Sequence, residues 1–136
     1  NLRGSFLVGR AGIAAMVAGG ADGRVINIAS DLAYLGRANF AAYCASKGAI
    51  LSLTRSWARE FAPRILVNAI APGPIETPLL RRSLANPDVL EQELDSPLAR
   101  IGSVEEVAGC ALVLAGPESG FMTGQTLGPN GGSAMP

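Results

Sequence analysis

The chain contains no histidine. That single absence removes Ser-His-Asp and Cys-His nucleophile pairs together with the usual catalytic zinc sites. Acid/base chemistry must therefore come from Tyr, Lys, Asp, Glu or Cys. Cysteine is nearly as scarce. Cys44 and Cys110 stand far apart and fit no metal-ligand spacing, so they read as two small buried thiols in a reducing compartment, which predicts a cytoplasmic protein. Charge of one sign is lacking too: 11 basic side chains balance 11 acidic ones, and neither nucleic acid nor an anionic membrane is an expected partner. No run of about 18 apolar residues occurs, so no transmembrane helix is expected. The opening stretch, Arg3 and then FLVGRAGIAAMVAGG, has the flavour of a signal peptide. Arg10 interrupts it, however, and it reads as a helix of a soluble core. The first residue is Asn1 and not Met, which reads as the later part of a longer chain.

What is present is a hydrophobic domain. The 136 residues are 49% hydrophobic and only 16% charged, which suits one domain with one core. From Asn1 to Val17 the apolar residues recur at helical spacing, and Gly19-Gly20 supply a stop. Val25 to Ala29 is short, β-rich and apolar on both faces, as a central parallel strand would be. Asn39 is the expected N-cap of a helix through Tyr43, Lys47, Leu51 and Trp57, which must end near Ala62 because Pro63 disfavours helix before it. Ile65 to Ile70 is a second buried strand. The resulting βαβ unit puts the carboxyl ends of both strands, with Ser30 and Pro72-Gly73, on one sheet edge, where open α/β sheets bind ligands. Residues 74–102, rich in Pro, Asn, Asp and Ser, read as a lid or substrate-binding segment. Ser103 and Glu106 form a capping box that opens a helix to Leu114 or Ala115, and Gln125 to Leu127 leaves room for a last short strand.

Tyr43 and Lys47 lie four residues apart and share a helical face. An ammonium beside a phenol favours the phenolate, and such a phenol can pass a proton to or from an alcohol or carbonyl. Each residue alone also has a plain structural role: Lys47 as a solvated helix-face lysine, Tyr43 as a core aromatic with a wet tip, Ser30 as a polar group at a strand end. Cys44 points to a different face from Tyr43 and serves packing.

In order along the chain stand NLRGSF, VINIAS, YCASK, RILVNAIAPGPIET, RIGSVEEVA and TGQTLGPNGG. This set resembles the carboxyl-terminal half of a short-chain dehydrogenase/reductase, nearest to the 3-oxoacyl-thioester reductase and small-alcohol dehydrogenase type, over essentially the whole chain. The resemblance implies an α/β fold, the second half of a Rossmann-type doubly wound parallel sheet with three αβα layers. It implies hydride transfer between NAD or NADP and a secondary alcohol or ketone, and assembly as a homodimer or homotetramer through the helices at Asn1–Val17 and Phe40–Phe61. Small residues such as Gly48, Ala49 and Ser52 would permit close helix approach, or could equally face the sheet. By the same resemblance Tyr43 is the general acid/base, Ser30 hydrogen-bonds the substrate oxygen, and Lys47 favours the phenolate while holding the nicotinamide ribose. Asn1 matches the asparagine that orders a water behind that lysine. Pro72, Gly73, Ile75 and Thr77 match the loop that contacts the nicotinamide carboxamide and nearby phosphate.

The chain has no Gly-x-x-x-Gly-x-Gly turn after a strand, and so no helix N-terminus to hold a pyrophosphate. These 136 residues alone are therefore expected to bind dinucleotide weakly, and three strands alone leave a long sheet edge unpaired. Two other readings stay open. One is a truncated, non-catalytic half-domain that assembles with a partner. The other is an epimerase or dehydratase on the same scaffold, against which the thioester-reductase-like tail argues.

Overall fold

Six residues from Ile65 to Ile70, apolar except for Asn68, form the most deeply buried segment of the computed structural model, which describes residues 1–136 apart from the Ser83 side chain. This segment, β2, is the middle of a three-stranded parallel sheet of order β1-β2-β3. β1 is Gly23–Ile28, in register with β2 from Gly23 opposite Ile65 to Ile28 opposite Ile70. β3 is the short Thr126–Leu127, against Ala69 and Ile70. The rest is helical: α1 Leu2–Ala18, α2 Leu32–Leu35, α3 Ala41–Phe61, α4 Pro78–Ser83, α5 Pro87–Leu94 and α6 Val104–Ala115, followed by a 3-10 turn at Pro117–Ser119.

The period-two geometry of β2 splits its side chains between two layers. Ile65, Val67 and Ala69 meet α1 and α3: Ile65 and Val67 pack with Ile13, Trp57 and Ala58, while Ala69 packs with Ile50 and Leu51. α6 packs against β1 and β2, and its Leu114 is fully buried. The expected α/β parallel architecture is thus present. Gly9, a poor residue for a helix interior, sits where α1 meets Trp57: a Cβ there would overlap the indole ring. Phe6 stacks on the same ring at 5.8 Å between centroids. A buried polar pair links strand to helix, Asn27 Nδ2 donating to Thr54 Oγ1 at 2.9 Å.

Several local expectations change. β1 begins and ends earlier than Val25–Ala29, and it is an edge strand; Asn27 is its one buried residue and Ile28 is half exposed. Helices cover a strand's faces and neighbouring strands its edges; β1 pairs with β2 alone, so its other edge is open. Asn39 does not cap α3. It takes a left-handed conformation, φ 65°, which Asn tolerates better than most residues, and Phe40 becomes the cap position with no side-chain bond. α3 stops at Phe61 with Ala62 extended, as the following proline requires. The 74–102 segment holds two short helices with their own caps, Thr77 Oγ1 to Leu80 N–H and Asn86 Oδ1 to Asp88 N–H. Both cysteines are free and only half-buried. Gly48 lies against α2, nearest the Ala33 carbonyl, and Ser52 is exposed. The capping box on α6 forms as read from Ser103 and Glu106.

Candidate active site

The carboxyl ends of the strands are stitched together just past the sheet. Ala29 N–H donates to Ile70 O at 2.7 Å, Asp31 N–H to Pro72 O at 3.0 Å, and Gly73 N–H to Pro129 O at 3.1 Å. Ser30, the Pro72-Gly73 turn and the Pro129-Asn130 turn therefore share one edge. Gly73 is needed there, since a Cβ would come within 2.8 Å of the Asn130 backbone.

α3 delivers Tyr43 and Lys47 to this edge. Lys47 Nζ donates to Ile28 O at 2.8 Å, two residues before Ser30, and lies 5.8 Å from the Tyr43 ring centroid. The bond uses one of the three ammonium donors and leaves two. Partial burial lowers the Lys47 pKa below the ordinary lysine value. Tyr43 is about one-third exposed, its ring edge-on to Phe40 at 6.3 Å. Ser30 is buried to 7% exposure, and its Oγ donates to Asp31 Oδ1 at 3.1 Å while accepting from Leu32 N–H at 3.2 Å.

Asn1 reaches α3 one residue from Lys47: its Nδ2 donates to Ser46 Oγ at 3.3 Å, and Ser46 Oγ donates to Tyr43 O at 2.7 Å. Ile75 forms an isolated parallel bridge with Gly102, and Thr77 caps α4. The Thr77 hydroxyl accepts from Leu80 N–H at 3.3 Å, which leaves its proton available to an acceptor oxygen. The fold thus brings Lys47 to the end of β1 two residues before Ser30, puts Tyr43 and the Asn1–Ser46 bond on the same stretch of α3, and sends Pro72 to Thr77 off the adjacent strand end.

Three contacts at this edge have no signature in the sequence spacing. Asp31 Oδ2 accepts from Ser133 Oγ at 2.8 Å across most of the chain length. Arg37 Nη1 donates to Glu93 Oε1 at 2.6 Å, an ion pair whose carboxylate side chain is only 10% exposed, tying α5 to the loop after Ser30. Hydrogen bonding to Glu93 raises the Arg37 pKa further above its ordinary value. The third is the Asn1–Ser46 bond. An aspartate directly after the serine is visible in the sequence, but its partner depends on where the chain's end is folded. Among the described residues, no group of three His, Cys, Asp or Glu could hold a metal, and no helix is long and apolar enough to cross a membrane.

Residues 1–134 match the family model described as enoyl-(acyl carrier protein) reductase. An uncharacterised oxidoreductase of Schizosaccharomyces pombe is 41% identical over 136 residues, covering 99% of this chain and 46% of that protein. A gluconate 5-dehydrogenase from Burkholderia cenocepacia, solved with NADP and tartrate, superposes with a TM-score of 0.91 at 38% identity, covering 99% of this chain and 54% of the other. An NAD+-bound xylitol dehydrogenase gives a TM-score of 0.89 at 35% identity, over 97% and 56% of the two chains. The chain spans about half the length of the relatives it matches. With the matching family model, these oxidoreductase relatives and a shared Rossmann-type architecture, the chain belongs to the short-chain dehydrogenase/reductase family.

Proposed function

We propose that this chain is the catalytic half of an NAD- or NADP-dependent dehydrogenase/reductase that interconverts a secondary alcohol and a ketone, with Tyr43 as the general acid/base. The observation that carries the reading is the position of Lys47 Nζ, bonded to Ile28 O at 2.8 Å beside Ser30 and 5.8 Å from the Tyr43 ring. Its positive charge stabilises negative charge developing on the phenolic oxygen as a proton leaves. Tyr43 is accessible enough to meet a substrate, and Ser30 offers a fixed hydroxyl to the substrate oxygen.

The residues present fit the nicotinamide end of a dinucleotide. Lys47 keeps two donors for ribose hydroxyls, the Thr77 proton is free for a carboxamide or phosphate oxygen, and the close approach of Gly73 to Asn130 shapes a narrow wall. A bound nicotinamide would supply the hydride chemistry. Asn1 is tied through Ser46 to the Tyr43 carbonyl, which supports a part for it in a proton relay next to Lys47. Residues 74–102, with α5 pinned by Arg37–Glu93, form the substrate-facing lid.

A second reading is a half-domain that assembles with a partner along the open edge of β1. In either case α1 and α3 are the surfaces for self-association in a cytoplasmic homodimer or homotetramer; Phe6, Leu7 and Val8 of α1 are exposed.

Tyr43→Phe tests the enzyme reading in a protein that joins this chain to the amino-terminal half of a relative. Removing the general acid/base is expected to lower kcat by about 10²–10⁴-fold with the circular dichroism spectrum unchanged. A folded variant retaining most of its turnover would refute the assignment.

A further inference from the structure

The segment 74–102 leaves the sheet edge and returns to it at one point, where Gly102 N–H donates to Pro74 O at 2.9 Å and Glu76 N–H donates to Gly102 O at 2.8 Å. Between these stems stand α4 and α5. Among the described residues, a single polar contact ties residues 78–94 to the chain outside this segment, the Arg37–Glu93 ion pair. α5 buries none of its 8 residues, and a helix that short does not hold itself in water, where about 12–15 residues are already marginal. A cleft of about 290 Å³ separates it from the loop after Ser30, with Asp31, Leu35 and Arg37 on one side and Gln92 and Glu93 on the other.

Arg37 is engaged on two sides. Its Nη1 donates to Glu93 Oε1 at 2.6 Å, and its Cζ lies over the Phe40 ring, 5.7 Å from the centroid. A local bend makes this possible: Phe40 N–H donates to Arg37 O at 3.1 Å, with Asn39 between them at φ 65°. The Phe40 ring in turn meets the Tyr43 ring edge-on at 6.3 Å. Four side chains thus run in series from the lid to the phenol. A guanidinium suits the middle place because its edge donates to a carboxylate while its face lies on a ring, a division that an ammonium lacks.

We propose that Arg37 is a positioning residue that couples the lid to Tyr43: Glu93 docks on its edge and closes α5 over the site, while its face holds the Phe40 ring against the phenol. The lid's arrival and the setting of Tyr43 are then one event. The catalytic consequence rests on the reading of Tyr43 as the general acid/base; the latch does not.

The chain itself reads the latch. Arg37→Ala and Glu93→Gln should each speed hydrogen exchange at the α5 amides from Leu90 to Glu93 by about tenfold, the scale of a hydrogen bond between charged groups. The double variant should do no more than either alone, since both remove one interaction. Unchanged exchange in the single variants, or effects that multiply in the double, overturns the latch. NMR ring resonances of Tyr43 read the coupling in the same samples. Glu93→Gln, made on another element, should shift them as Arg37→Ala and Phe40→Leu do, and Glu91→Gln, at an exposed position of α5, should not. Tyr43 resonances indifferent to Glu93, or equally moved by Glu91, overturn the coupling. Turnover of cyclohexanol, in the protein joined to a relative's amino-terminal half, reads the consequence. Phe40→Leu leaves the ion pair in place and should lower kcat about fivefold with KM unchanged, whereas Glu93→Gln should raise KM as well; an unchanged kcat in both rejects the part of Arg37 in the reaction. If instead Tyr43→Phe turns over like its parent, the acid/base reading has failed, and the exchange and resonance results still decide the latch.

Discussion

Lys47 shows how one residue can be a cost to the fold and a tool for the site. Partial burial disfavours its charged form and lowers its pKa below the ordinary lysine value of 10.5. In the interval between the lowered value and 10.5, the unfolded chain binds more protons than the folded one, so stability rises with pH there. Lys47→Met should flatten that rise: the stability difference between parent and variant, measured by denaturant titration, changes with pH only inside the interval. An identical pH slope in both proteins would show that the ammonium is not desolvated at this position. The spacing of Tyr43 and Lys47 was legible because a helix fixes which residues share a face. That Lys47 bonds the Ile28 carbonyl was not, since a strand end two elements away decides it.

At the scale of elements, α6 is the clearest case of local sequence writing local structure. Ser103 Oγ accepts from Glu106 N–H at 3.3 Å and Glu106 Oε2 accepts from Ser103 N–H at 2.8 Å, closing the reciprocal cap. Arg100 adds a two-pronged contact, Nη1 to Oε2 at 2.9 Å with Nη2 on Oε1. The Arg100 guanidinium first, and the Ser103 backbone second, hold the Glu106 pKa down to about 2. A carboxylate depressed in the folded state stabilises fully above its unfolded value and loses that contribution as pH falls through the folded one. The stability gap between the parent and Glu106→Gln is therefore expected above about pH 4.5 and should close as pH drops toward 2; a gap independent of pH across that span would contradict it. α3 is the counter-example. Its end at Phe61 follows from Pro63, but its start differs from the expected Asn39 cap, because Asn is suited both to a cap and to the left-handed bend it takes here.

For the whole molecule the deciding feature is β1. Its burial was read as that of a central strand from Val25–Ala29, and the hydrophobic run is indeed there, yet only one neighbour pairs with it. An apolar strand with one free edge offers unpaired N–H and C=O groups on that side, and the chain spans about half the length of its relatives. With no glycine-rich turn after a strand, the chain also offers the pyrophosphate of a dinucleotide no helix N-terminus. Fluorescence titration with NADH and NADPH is thus expected to give an affinity at least about tenfold weaker for the chain alone than for the chain joined to a relative's amino-terminal half, a difference of roughly 1.4 kcal/mol or more. Equal affinities would mean that residues 1–136 carry the whole binding site.

By itself the sequence determined whatever depends on near neighbours. Periodicity set α1, α3 and β2, a proline set the end of α3, a capping box set the start of α6, and an ordered series of motifs set the family. Tertiary structure alone decided what depends on distance along the chain: the Arg37–Glu93 tie to α5, the bond from Lys47 to Ile28, and the carboxylate of Asp31 held between Ser30 and Ser133. The reason is that a side chain's partner across many tens of residues is chosen by how sheet and helices pack, and no local spacing encodes that choice.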